Sequence, residues 1–145
     1  MFRSEAHASS LEAIAASHGE AFYRGPLAQA IAAHSRACGG VMTEDDLAQH
    51  SVDWCGTLAQ PFAGSVVHEL PPNGQGIAAL MALGMLEALG LSKHPVDHVD
   101  TVHCAIEAMK LALADLDHYN ADPNAMQVAP SALVDVDYLA ERARM

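Results

Sequence analysis

Residues 65–89 read SVVHELPPNGQGIAALMALGMLEAL, and the reading of this stretch decides the fold. Ser65 to Leu70 is a short β-prone run. Pro71 and Pro72 end it, because neither has the N–H that a strand ladder needs. Asn73, Gly74 and Gly76 then supply a flexible turn into a helix expected from Ile77 to about Leu89. That helix carries no charge before Glu87, so it is expected to be buried on most sides. The uncharged run from Glu69 to Glu87 is broken by Pro71, Pro72, Asn73, Gly74 and Gln75, and falls short of the ~20 apolar residues of a membrane span.

Upstream, Val52 to Ala59 alternates loosely, with Val52, Trp54 and Leu58 on one side. With a break at Pro61 and Gly64, this run predicts the first strand of a hairpin whose second strand is Ser65–Leu70. Three helices are expected before it. Ser9 or Ser10 can cap the first, whose Leu11, Ile14, Ala15 and His18 share a face and which Gly19 ends. Gly25 and Pro26 open the second, with Leu27, Ala30 and Ile31 as its buried stripe and Gly39 and Gly40 as its stop. Thr43 with Asp46 forms a capping-box pattern for a short third helix through Leu47 and Ala48.

Downstream, Val99, Val102, Ile106, Met109, Leu113 and Leu116 are spaced 3, 4, 3, 4 and 3, which predicts one long helix with a continuous apolar stripe opposite Glu107, Lys110 and Asp117. Asn120 and Pro123 end it, and a shorter helix is expected from Asp137 towards Arg144. The fold class is therefore α+β and helix-dominated, with about five to six helices and one short β-hairpin. No internal repeat, low-complexity tract or long linker divides the 145 residues, so one domain with one core is expected.

The composition is 51% hydrophobic but 5% aromatic, which favours close helix packing around alanine over an aromatic core. Eighteen acidic against seven basic residues give a formal charge of -11, a sign that repels nucleic acid and anionic membrane surfaces. The opening MFRSEAHASS has Glu5 and His7 where a secretory signal needs an apolar run, so a soluble chain is expected, with its compartment left open.

Candidate chemistry is sparse. His94, Asp97, His98 and His103 invite a metal reading, since His94 and His98 stand at i, i+4, but Pro95 between them opposes a regular helical turn. Cys104 beside His103 is not a nucleophile pair, because adjacent helical residues point about 100 degrees apart. Cys38, Cys55 and Cys104 are an odd number without CxxC spacing and read as reduced, buried structural thiols. The turn Pro71–Gly76 leads from a strand into a helix N-terminus but lacks the lysine and glycine spacing of a phosphate loop, and reads as a structural corner.

Several segments, taken in order, resemble the gamma-glutamyltranspeptidase-like family: LEAIA at 11–15, EAFYRG at 20–25, GGVMTEDDL at 39–47 and PPNGQG at 71–76. HCAIEA at 103–108, Ala114-Asp115 and Ala121-Asp122-Pro123 complete the series. The resemblance spans nearly the whole chain. It departs at Leu116, where the family often has arginine. It implies a piece of the αββα fold of N-terminal nucleophile hydrolases, from the middle to C-terminal part of a large subunit. It further implies transfer or hydrolysis of gamma-glutamyl or related acyl groups by an N-terminal threonine that autocleavage exposes. No threonine motif of that kind occurs here, so the chain alone is expected to be inactive and no catalytic residue is carried over. Substrate-binding residues stay unassigned, and no metal or cofactor is implied.

The PPNGQG turn, in place of a serine-rich one, leans towards the acylase-like branch. Implied partners are the rest of the large subunit, the small subunit of the same precursor and a small-molecule acyl donor. Alone, the chain is expected to self-associate through its uncovered apolar surface. A non-catalytic helical interaction domain is the alternative reading.

Overall fold

A computed structural model describes residues 3–145 of the protein. Among them are eight α-helices, one 3-10 turn and one two-stranded antiparallel sheet. Where length suggested one core, the chain groups into two compact units, residues 1–53 and 54–145.

The first unit is helical: α1 (Glu5–Ala16), α2 (Glu20–Tyr23), α3 (Pro26–Ala37) and α4 (Glu44–Ala48). α1 starts before the expected serine caps. Its alanine-rich first turns are good helix formers and Glu5 suits the positive end of the helix dipole, while Ser10 Oγ donates to the Ala6 carbonyl within the helix at 3.0 Å. Gly19 (φ 99°) and Gly25 (φ 102°) take conformations that side chains resist, and between them lies the four-residue α2 that periodicity could not reveal.

Pro26 opens α3 as expected, but its buried residues are Ala28 and Ala32. Leu27 and Ile31 are half-buried and Ala30 is exposed, which corrects the expected stripe. Two small side chains let α2 and α4 approach α3 closely. The capping box forms. Asp46 N–H donates to Thr43 Oγ1 at 3.2 Å, and Thr43 N–H donates to Asp46 Oδ2 at 2.8 Å. The Thr43 side-chain and backbone hydrogen bonds hold the Asp46 carboxyl below its usual range.

In the second unit, β1 (Leu58–Phe62) pairs with β2 (Ser65–Glu69) from Leu58↔Glu69 to Phe62↔Ser65. The turn is Ala63-Gly64, with φ of 50° and 80°, the two positive φ values of a tight primed hairpin. This corrects the expected first strand. β2 stops before Pro71 and Pro72, so the ladder ends at Leu58↔Glu69, and Val52 and Trp54 are exposed in irregular chain. Pro61 is accepted inside β1 because this sheet has two strands and each is an edge.

The hairpin leans on α5 (Gly76–Ala88), the hub of the unit, as its lack of charge foretold. Ile77, Leu80, Met81 and Met85 are all at most 1% exposed. Around α5 lie α6 (Val99–Tyr119), α7 (Pro130–Leu133) and α8 (Val136–Arg142). At Gly84, α5 lies against Leu139 of α8 and Gln60 of β1. A Cβ there would collide with Leu139 Cδ1 and lie 2.9 Å from Gln60 Nε2. The short α2 and α7 account for eight helices where five to six were expected.

The long helix α6 is in place but turned. Its buried residues are Ala108, Ala112 and Asp115, facing α5 and α8. Leu116 of the expected stripe packs against the core, but the others face outward, with Val99 at 73%, Ile106 at 54% and Leu113 at 45% exposure. Alanines at 108 and 112 admit the bulky α5 at short range, and a face of valine and isoleucine would not.

Candidate functional site

The residues singled out for chemistry do not converge. His94 follows the 3-10 turn Leu91–Lys93, and His98 is the N-cap of α6, where its ring Nδ1 accepts from Asp100 N–H at 3.3 Å. His103 lies one turn further along. Among the described residues no three His, Cys, Asp or Glu side chains are grouped closely enough to hold a metal ion.

The three cysteines are free, but Cys38 and Cys55 are exposed and only Cys104 is half-buried, which corrects the buried-thiol reading. Both exposed residues sit in chain with nothing packed over it, Cys38 at the end of α3 and Cys55 before β1. Cys38 Sγ lies 3.6 Å from His34 Nε2, a pair that the sequence reading missed although its i, i+4 spacing marks it. The pair lies exposed at the C-terminal end of α3.

Three features remain. The first is a buried ionic cluster. Arg142 Nε donates to Asp115 Oδ2 at 3.0 Å, Arg142 Nη2 donates to Asp115 Oδ1 at 2.8 Å, and Tyr138 O–H donates to Asp115 Oδ2 at 2.9 Å. Burial and the bond to the Asp115 carboxylate push the Tyr138 hydroxyl up to about 12. With its oxygens already occupied, Asp115 locks α8 to α6 and offers little to a substrate.

The second is a polar cleft of about 400 Å3 where the PPNGQG corner meets the end of α6, lined by Asn73, Gln75, Leu113, Leu116, Asp117 and Asn120. Asn120 Nδ2 donates to the Asn73 carbonyl at 2.9 Å. Leu116, the residue that departs from the family pattern, puts an alkyl wall into this cleft.

The third is an open groove of about 520 Å3 along the outer face of α6, lined by Val96, Thr101, Val102, Ala105, Ile106, Met109, Lys110 and Leu113. It is almost wholly apolar, with Lys110 at its margin drawn to Glu107 at 2.8 Å. A continuous apolar face of this kind is the mark of a contact surface. Among the described residues no helix is long and apolar enough to cross a membrane.

The family model described as gamma-glutamyltranspeptidase matches residues 1–145. A glutathione hydrolase-like proenzyme of Bacillus subtilis is 34% identical over 108 residues, which are 74% of this chain and 21% of that protein. An oxamate amidohydrolase proenzyme of Klebsiella pneumoniae is 34% identical over 113 residues, 78% of this chain and 21% of that protein. The crystal structure of cephalosporin acylase from Bacillus halodurans superposes with a TM-score of 0.78 at 42% identity, covering 99% of this chain and 26% of that one. The chain thus spans about a fifth of the length of the curated relatives it matches. With the family model matched from the first residue to the last, the chain belongs to the gamma-glutamyltranspeptidase family.

Proposed function

We propose that these residues form a structural segment of a longer hydrolase or acyltransferase of the N-terminal nucleophile type, acting on gamma-glutamyl or related acyl groups. The observation that carries the reading is the family match along the whole chain. In such an enzyme the reactive group is a threonine freed by cleavage of the precursor, whose hydroxyl attacks the acyl carbonyl and whose amine takes the proton. These residues would support that chemistry from outside the reacting atoms. Their partners are the rest of the large subunit and the small subunit, and the relatives whose names call them proenzymes support that division.

The α6 groove is the surface on which the segment meets the rest of that polypeptide. Its occupant is an apolar helix or sheet face, since a charged partner would leave its charges unpaired against Val102, Ile106 and Leu113. The test is to express the whole reading frame that contains these residues and follow it by intact mass and by release of chromophore from a gamma-glutamyl anilide. Self-cleavage at a threonine followed by turnover is expected, with none from residues 1–145 alone. An uncleaved, inactive product that also fails on acyl side chains of cephalosporins would favour the helical interaction domain instead.

A further inference from the structure

We infer that Asn73 is a spontaneous modification site: its side-chain amide is lost through a cyclic imide, and the product loosens the corner between β2 and α5. The sequence supplies Asn73 followed by Gly74, and both residues are exposed in the turn between β2 and α5. In this chemistry the Gly74 backbone nitrogen, once deprotonated, attacks Asn73 Cγ. A C–N bond closes a five-membered succinimide and ammonia leaves. Water then opens either carbonyl, giving aspartate or its β-linked isomer, so one water is consumed for each ammonia released.

Three observations favour the step here. No hydrogen bond among the described residues uses the Gly74 amide, so its nitrogen is not held away from the attack. Gly74 has no side chain to obstruct ring closure, and the surrounding 4 Å is open. Neither residue belongs to a helix or strand whose ladder would resist the rotation that cyclisation needs.

The consequence is local and specific. The Asn73 carbonyl is the acceptor for Asn120 Nδ2 at 2.9 Å, the bond that ties this corner to the end of α6. In the β-linked product the chain runs through Cβ and Cγ of residue 73 and its former backbone carbonyl becomes a free carboxylate, so the peptide carbonyl that Asn120 Nδ2 bonds is gone from the backbone. Both products add a negative charge to a chain already at -11.

The experiment ages the purified chain at mildly acidic and mildly alkaline pH and reads tryptic peptides by mass. Residues 37–93 form one peptide in which Asn73 is the only asparagine. The expected result is the heavier acid form of that peptide, NH2 exchanged for OH, rising with pH and carrying β-linked product on fragmentation. Gly74→Ala is the sharper arm. Gly74 lies outside the left-handed region and its surroundings accept a Cβ, so the variant folds while the added methyl slows ring closure by about tenfold. The inference is overturned if Asn73 converts no faster than Asn120 and Asn124, which precede alanine, or if Gly74→Ala converts at the wild-type rate.

Discussion

Arg142 meets Asp115 edge to edge, two guanidinium N–H groups on two carboxylate oxygens, with both side chains largely withdrawn from water. Twenty-seven residues separate them, and the pair decides where the chain's last helix lies. Removing one partner strands the other. Asp115→Leu or Arg142→Leu should each cost about 2–4 kcal/mol, whereas the two changes together should cost less than the sum. Urea unfolding of the four proteins checks this, and additive losses would mean that the two residues act separately.

Tyr138 gives the same cluster a pH signature. Its folded value is raised to about 12 from the ordinary 10.0. A raised value means the folded state holds its proton longer, so the contribution is fully present below pH 10 and disappears as pH climbs through about 12. Ultraviolet titration of the phenolates should show one late tyrosine, which moves earlier in Asp115→Asn. Ionisation of Tyr138 at its ordinary value in the folded protein would remove the burial and hydrogen-bond account.

Gly84 should tolerate no side chain. Gly84→Ala forces a methyl into Leu139 and Gln60 and should lower stability by about 1–3 kcal/mol, while Gly74→Ala, in open space, should leave the melting temperature unchanged. Met81→Ala, at a fully buried site, should cost about 2–5 kcal/mol by leaving a cavity. Equal melting of the two glycine variants would show that α8 does not pack against α5 at this point.

The isolated chain should self-associate through the α6 groove. Its weight-average mass in sedimentation equilibrium should rise with concentration, and more so in salt, which screens the repulsion of -11 against -11. Val102→Glu with Ile106→Lys puts a helix-compatible ion pair in the groove and should return a monomer. A wild-type chain that stays monomeric and binds no hydrophobic dye would dismiss the groove as a contact surface.

Local chemistry was legible in the sequence wherever neighbours decide the outcome. The Thr43–Asp46 box, the Gly25–Pro26 start and the all-round apolarity of α5 each depend on a few adjacent residues, and each stands in the fold. What depended on distant partners was not legible. The 3-4 spacing of Val102, Ile106 and Met109 marks a face, but nothing in it says which neighbour that face meets, and the sequence reading gave the other side to Glu107, Lys110 and Asp117. Val52 and Trp54 alternate like a strand, yet a strand needs an opposite number, and the Ala63-Gly64 turn had already fixed where pairing ends. The site was least legible: the segments in family order spoke for membership, while the Asp115–Arg142 link joins two helices whose approach no local pattern encodes.

The two sides of α6 should evolve under different alphabets. Towards α5, Ala108 and Ala112 are limited by volume: serine or glycine would be accepted there more readily than leucine, however apolar the leucine. Along the groove, Val102, Ile106 and Leu113 have room to vary in size and would be limited by polarity once covered. A saturation scan scored on the whole enzyme would then sort this helix into one column that rejects bulk and another that rejects charge. The same scan on the isolated chain would keep the first column and lose the second.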